Sequence, residues 1–146
     1  MIIKIKSRLS CPFDCIISNF DIALFNALKP PLVPLKVIRF DGCLKGDEVH
    51  LELGFGKTWK SVIVDNSKTD NQWCFIDEGF ALPTPLKFWR HIHKVEKLSD
   101  SESLILDHIV FKSSSKLLDI LIYPLLFIQF KIRTPLYKKF FKTIHA

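Results

Sequence analysis

The sequence predicts an α+β fold: a curved antiparallel sheet of about seven strands wrapped around a long C-terminal helix, with two short helices after the first strand. Three observations predict it. Strand-like runs recur from residue 35 to residue 112, separated by short turn signals. Two helix-capping signals follow the first strand in close succession. The segment from about 115 to 141 is long and apolar.

Residues 2–9 set Ile3, Ile5 and Leu9 against Lys4, Lys6 and Arg8. This alternation reads as a strand. The charges interrupt the apolar residues and no apolar stretch follows, so it is not read as a signal peptide. Ser10 or Cys11 can cap a helix, with Pro12 in its first turn and Asp14 near its positive end. Ser18 followed by Asp21 resembles a second cap. Residues 12–29 therefore form two short helices with a break near Asn19, and the prolines in 29–34 end them.

Strand-like runs then cover 35–40, 48–53, 58–64, 72–77, 86–98 and 103–112. Asp41 and Gly42, Gly46 and Asp47, Gly54 and Gly56, Asp65 and Asn66, and Ser99 and Asp100 mark the turns. Short connections make neighbouring runs pair antiparallel. Gly54 and Gly56 lack the spacing of a phosphate loop, and no helix follows them. The terminal helix has Ser113 to Ser115 to cap it and is apolar nearly all round from 117 to 130, relieved by Asp119 and Gln129. A membrane span needs about 20 predominantly apolar residues. This run is shorter, contains Pro124 and ends in Lys131, so it is read as a buried helix, kinked or interrupted at Pro124 and Pro135.

The length of 146 residues favours one domain, 1–146. With 48% apolar and 25% charged residues the chain has a folded protein's balance, not a disordered one's. Cys11, Cys15, Cys43 and Cys74 include no C-x-x-C pair, so neither zinc nor a disulfide framework is expected, and reduced thiols in the cytoplasm are. The net charge is +6, with Lys131, Arg133, Lys138, Lys139 and Lys142 in a tail free of acids. That tail offers a weak peripheral membrane contact, with Phe140 and Phe141 as its apolar anchor. Nucleic acid is not an expected partner, because the charge is confined to one tail and no binding motif accompanies it.

The most informative feature is Trp89, His91 and His93, which alternate onto one face of a strand. A turn centred near Asp100 sets His93 opposite Asp107 and His91 opposite Ile109. A turn centred near Pro83 sets Trp89 opposite Asp77 and His91 opposite Phe75. Trp73, Phe75, Asp77, Trp89, His91, His93, Asp107 and Phe111 then share the inner face, because the opposite face carries Phe88, Arg90, Lys94, Glu96 and His108. Leu121, Leu125 and Ile128, at helical spacing, are expected to face them. In this arrangement His93 and Asp107 bond to each other inside, with His91 and Asp77 near the mouth. Such a pair binds a hydroxyl or carbonyl, acts as general acid and base, or only satisfies buried polar atoms and fixes strand register. Two histidines and Asp107 can also ligate a metal, but the spacing alone assigns none, and no cofactor is assigned.

The motifs Phe75, Asp77 and Glu78 (Phe-x-Asp-Glu), Trp89, His91 and His93 (Trp-x-His-x-His), and Asp107, Ile109 and Phe111 (in place of Asp-x-Val-x-Tyr) resemble those of bacterial ligand-binding proteins of the SRPBCC superfamily. These are the START-like or helix-grip proteins, which include polyketide cyclases and the birch-pollen allergen. The resemblance implies a hydrophobic cavity between sheet and terminal helix. The expected function is binding of a small hydrophobic or amphipathic molecule there. The alternatives are an enzyme of the cyclase, dehydratase or isomerase kind using His93 and Asp107, and a peripheral lipid-handling protein. No nucleophile motif of the G-x-S-x-G kind occurs.

Overall fold

The computed structural model describes residues 1–31 and 33–145; Leu32, within the expected proline-rich terminator, and Ala146, at the end of the basic tail, lie outside the described residues. The elements are β1 (Ile2–Leu9), α1 (Phe13–Ser18), α2 (Ile22–Ala27), β2 (Lys36–Phe40), β3 (Glu48–Glu52), β4 (Thr58–Lys68), β5 (Gln72–Ala81), β6 (Leu86–Lys97), β7 (Ser103–Ser113), α3 (Lys116–Lys131) and α4 (Arg133–His145). They form one seven-stranded sheet in the order β1-β7-β6-β5-β4-β3-β2, with each neighbouring pair antiparallel. The expected meander is thus present, and β1 closes it beside β7.

Local chemistry moves several boundaries. Asp21 is itself the cap of α2, its carboxylate accepting from the amides of Ala23 and Leu24. Ser18 ends α1 instead of capping α2, and Pro12 stands at the cap of α1, where no side chain bonds the helix. Ser115 caps α3 by accepting from Leu118 N–H. Asp65 and Asn66 do not turn the chain. They lie inside β4, at a register shift between Ile63 and Asp65, and the turn falls at Thr69, whose amide donates to the Gln72 carbonyl.

The terminal helix breaks at Ile132, while Pro124 lies inside α3. Pro135 has no amide to offer the Lys131 carbonyl and its ring crowds that carbonyl, which places the interruption one turn earlier. As the third residue of α4, Pro135 loses nothing, since that amide has no partner in a first turn.

The β6–β7 register is the expected one, with His93 opposite Asp107 and His91 opposite Ile109. The β5–β6 register differs by two residues: Asp77 lies opposite His91 and Phe75 opposite His93. The hairpin centre falls at Thr84 instead of Pro83, and a shift of two preserves which face each side chain takes. Odd-numbered residues of β6 and β7 are accordingly the buried set.

Two groups of side chains fill the inner face. Phe13, Ile16, Leu24, Tyr137 and Phe141 of the helices pack on Trp73, Phe75, Val95 and Ile105. Trp89, Ile109 and Phe111 pack with Ile3, Ile5 and Phe130. Phe141 is buried and Phe140 packs against the same core, so this pair forms no surface anchor. Leu121, Leu125 and Ile128 are also placed otherwise than expected: all three are exposed on the outer side of α3. Because α3 is apolar all round, its composition does not say which side meets the sheet; Ile122, Tyr123, Leu126 and Phe130 do.

Candidate functional site

β6 carries Trp89, His91 and His93 to the inner face beside Asp77 and Phe75 of β5 and Asp107 of β7. Two further side chains reach the same place from α4: Arg133 and Tyr137. Helix α4 begins at Arg133, so its first two turns project Arg133 and Tyr137 toward the sheet, four residues apart on one face.

Asp107 is the hub. His91 Nε2 lies 2.9 Å from its Oδ1, and the Tyr137 hydroxyl donates to its Oδ2 at 3.5 Å. An Arg133 guanidinium nitrogen stands 3.9 Å from Oδ1. The bonded partner is therefore His91, one residue pair diagonal to the expected His93. His93 Nδ1 stays 3.7 Å from the carboxylate, beyond a hydrogen bond. The His93 ring is held by stacking on Phe75, with centroids 4.3 Å apart and planes 11° from parallel, and Phe20 meets it edge-on. The two imidazoles lie with centroids 3.6 Å apart.

Burial governs the protonation of this group. It drives the His91 pKa well below the ordinary histidine value, helped by the nearby Arg133 cation. Burial does the same to His93, and the neighbouring His91 adds to it. Burial also raises Asp107, against the opposing pull of Arg133 and His93. Neutral His91 can donate from Nε2–H to the carboxylate, with Arg133 balancing the charge. Asp77 is pushed up to about 6 by burial, tempered by Ser61 and Arg133. Its Oδ1, His93 Nδ1 and Arg133 Nε have no hydrogen-bond partner among the described residues.

These unpartnered atoms belong to residues that line a cavity of about 290 Å³. Its walls are mostly apolar, among them Leu24, Phe25 and Leu28 of α2, Val49 and Leu51 of β3, Trp59 and Ile63 of β4, and Phe130 of α3. Of the sequence-predicted residues, Phe75, Asp77, Trp89, His91 and His93 line it. Asp107 sits behind His91, fully buried. Trp73 and Phe111 belong to the packed core, and Leu121 and Leu125 face outward. Arg133, Tyr137, Trp59 and Ser61 were missed. For the two on α4 a signal exists: Phe130, Arg133, Tyr137 and Phe141 recur at helical spacing, an inward stripe within a segment read as a basic tail.

One nitrogen of each of His91 and His93 and one oxygen of Asp107 lie within 4.8 Å of one another, a set that could ligate a metal ion. A cation there would meet the Arg133 guanidinium on the same carboxylate oxygen. Chemically, the site offers a neutral imidazole, a carboxyl group that titrates near neutrality, and a fixed positive charge at one end of a greasy hollow.

No family model matches the sequence, and no curated protein matches it. Solved structures do match the fold. A START superfamily protein from Mycobacterium smegmatis superposes with a TM-score of 0.72 at 8% identity, covering 98% of each chain. Norcoclaurine synthase from Thalictrum flavum, a point mutant in complex with a transition-state analogue, gives 0.65 at 12% identity over 100% of this chain and 96% of its own. The Zhui aromatase/cyclase from Streptomyces sp. R1128 gives 0.59 at 12% identity over 79% of this chain and 69% of its own. The architecture is the fold these structures share, a helix-grip arrangement of a curved antiparallel sheet and a long C-terminal helical segment.

Proposed function

We propose that this protein binds a small, largely apolar molecule carrying one polar end, in the cavity between the sheet, α2 and the α3–α4 junction. The observation that carries the reading is the pairing of a largely apolar hollow with unpartnered polar atoms on three of its lining residues, His93, Asp77 and Arg133. A buried polar atom without a partner costs about 1–3 kcal/mol, which a ligand hydroxyl, carbonyl or carboxylate can recover. The hollow's volume lies near the lower end of small-molecule sites, about 300–1,000 Å³. The four free cysteines fit a reducing compartment, the cytoplasm.

A second reading is favoured by one observation: Asp77, its carboxyl pushed up to about 6, and His93, with an unpartnered imidazole nitrogen, line the same cavity. Such a pair can hold and pass a proton at neutral pH. The enzyme names of the aromatase/cyclase and of norcoclaurine synthase support it at the level of fold only.

The test is native mass spectrometry of the purified chain, with extraction and identification of any retained molecule, then displacement of a naphthalene-type fluorescent probe. Val49 lines the cavity, so Val49→Phe is expected to fold and to abolish both retention and probe binding. No retained molecule, together with no probe binding that Val49→Phe reduces, would remove the binding reading. With a ligand in hand, His93→Gln separates the two readings: turnover is lost if the imidazole moves a proton, and only affinity changes if it does not.

A further inference from the structure

The outer face of α3 is the least expected surface of this chain. Leu117, Ile120, Leu121, Leu125 and Ile128 are between 53% and 69% exposed, with Ile132 following. Their i, i+3, i+4 spacing makes them one stripe along the helix. Ile132, where α3 meets α4, has φ −63° and ψ −24°, and its amide donates to the Ile128 carbonyl. Beyond the break, α4 carries Lys138, Lys139 and Lys142, all exposed, with Lys131 at the junction. The exposed side chains thus pass from mainly apolar along α3 to mainly basic along α4, and among the described residues neither helix has an exposed acid.

We propose that this face docks on the surface of a bilayer containing anionic phospholipids, with the α3 half sunk among the acyl chains and the α4 lysines among the phosphates. A contiguous exposed apolar stripe marks an interaction surface. Among the described residues no helix is long and apolar enough to cross a membrane, so the helix lies along the surface and does not span. The apolar half offers no hydrogen-bonding side chain on its outer line. A protein partner normally exchanges about one hydrogen bond per 100–200 Å² with such a surface, whereas acyl chains ask for none. A second copy seated along both helices would set lysines either on lysines or on leucines. The lysines instead match the negative leaflet, each worth about fivefold in affinity. The proposal rests on the α3–α4 surface alone and stands whether or not the cavity holds a ligand.

Flotation of the full chain with vesicles tests it, using phosphatidylcholine alone and phosphatidylcholine mixed with phosphatidylglycerol. Binding is expected to the mixed vesicles, at least about tenfold weaker to the neutral ones, and weakened by salt. Lys138→Gln with Lys139→Gln should weaken it about thirtyfold. Leu121→Gln with Leu125→Gln should weaken it about a hundredfold, with an unchanged melting temperature because both sites are exposed. The added emission of Leu125→Trp should shift to the blue on the mixed vesicles. Absence of vesicle binding overturns the proposal. So does binding that the leucine pair leaves undiminished, which would be charge attraction only. A dimer in sedimentation velocity that the leucine pair dissolves would assign the face to a second copy instead.

Discussion

Asp107 has no contact with water and three positively polarised neighbours, His91, Tyr137 and Arg133. Asp107→Ala would leave them facing a void, and should cost about 3 kcal/mol or more in urea unfolding. Tyr137→Phe removes one long hydrogen bond and should cost about 1 kcal/mol. Asp77 gives a pH signature of opposite sign to that of the histidines. It holds its proton to about pH 6 in the folded chain, against about pH 3.9 unfolded. The folded state binds more protons in that window, so this contribution to stability falls as pH rises through it. Asp77→Asn should therefore be relatively more stable than the parent at pH 7 than at about pH 4, by up to about 3 kcal/mol, read from melting curves at the two pH values. His91 and His93, held neutral by burial, act the other way: the unfolded chain takes up their protons as pH falls below about 6.5, and stability is lost. His93→Phe should reduce that acid loss in the same measurement.

At the scale of elements, the sheet was the most legible part. A period of two, with an odd-numbered polar set on one face, follows from backbone geometry once neighbouring strands are antiparallel. What periodicity cannot fix is the centre of a turn. The β5–β6 pairing differs by two residues for that reason, and the hydrogen bond to Asp107 comes from His91 and not from His93. Arg133 was illegible for another reason: amid Lys131, Lys138 and Lys139 its charge reads as solvent-facing, yet its guanidinium lies 4.2 Å over the Phe130 ring, inside. The orientation of α3 was illegible because an all-apolar helix has no polar side to point outward. The resulting asymmetry is measurable. Phe130→Ala should cost about 3–5 kcal/mol, and Leu125→Ala less than about 0.5 kcal/mol. Helix α2 carries a different prediction. It lines the cavity and is capped by Asp21, so Asp21→Ala should weaken the helix by about 1 kcal/mol and speed ligand dissociation in stopped-flow displacement.

Over the whole molecule, the sheet supplies a rigid floor while the short helices and the α3–α4 junction supply the cover. Under the proposed function, that division would let a ligand enter and leave without disturbing the ladder of strands. A ligand at a hundredfold excess over its dissociation constant should raise the unfolding free energy by about 2.7 kcal/mol, and Val49→Phe should abolish the gain.

The pairing of β1 with β7 carries a consequence for how the chain acquires its shape. Ile2 lies beside Val110, and the Met1 ammonium donates to the Phe111 carbonyl at 2.7 Å. Within the sheet, β1 has no neighbour until β7 exists. Until then Ile3 and Ile5 stay wet, and one flank of β7 has unpaired amides. Pairings so distant along the chain make refolding a matter of milliseconds to seconds. In that interval the open flank can recruit a strand from another molecule, so recovery from denaturant should fall as protein concentration rises.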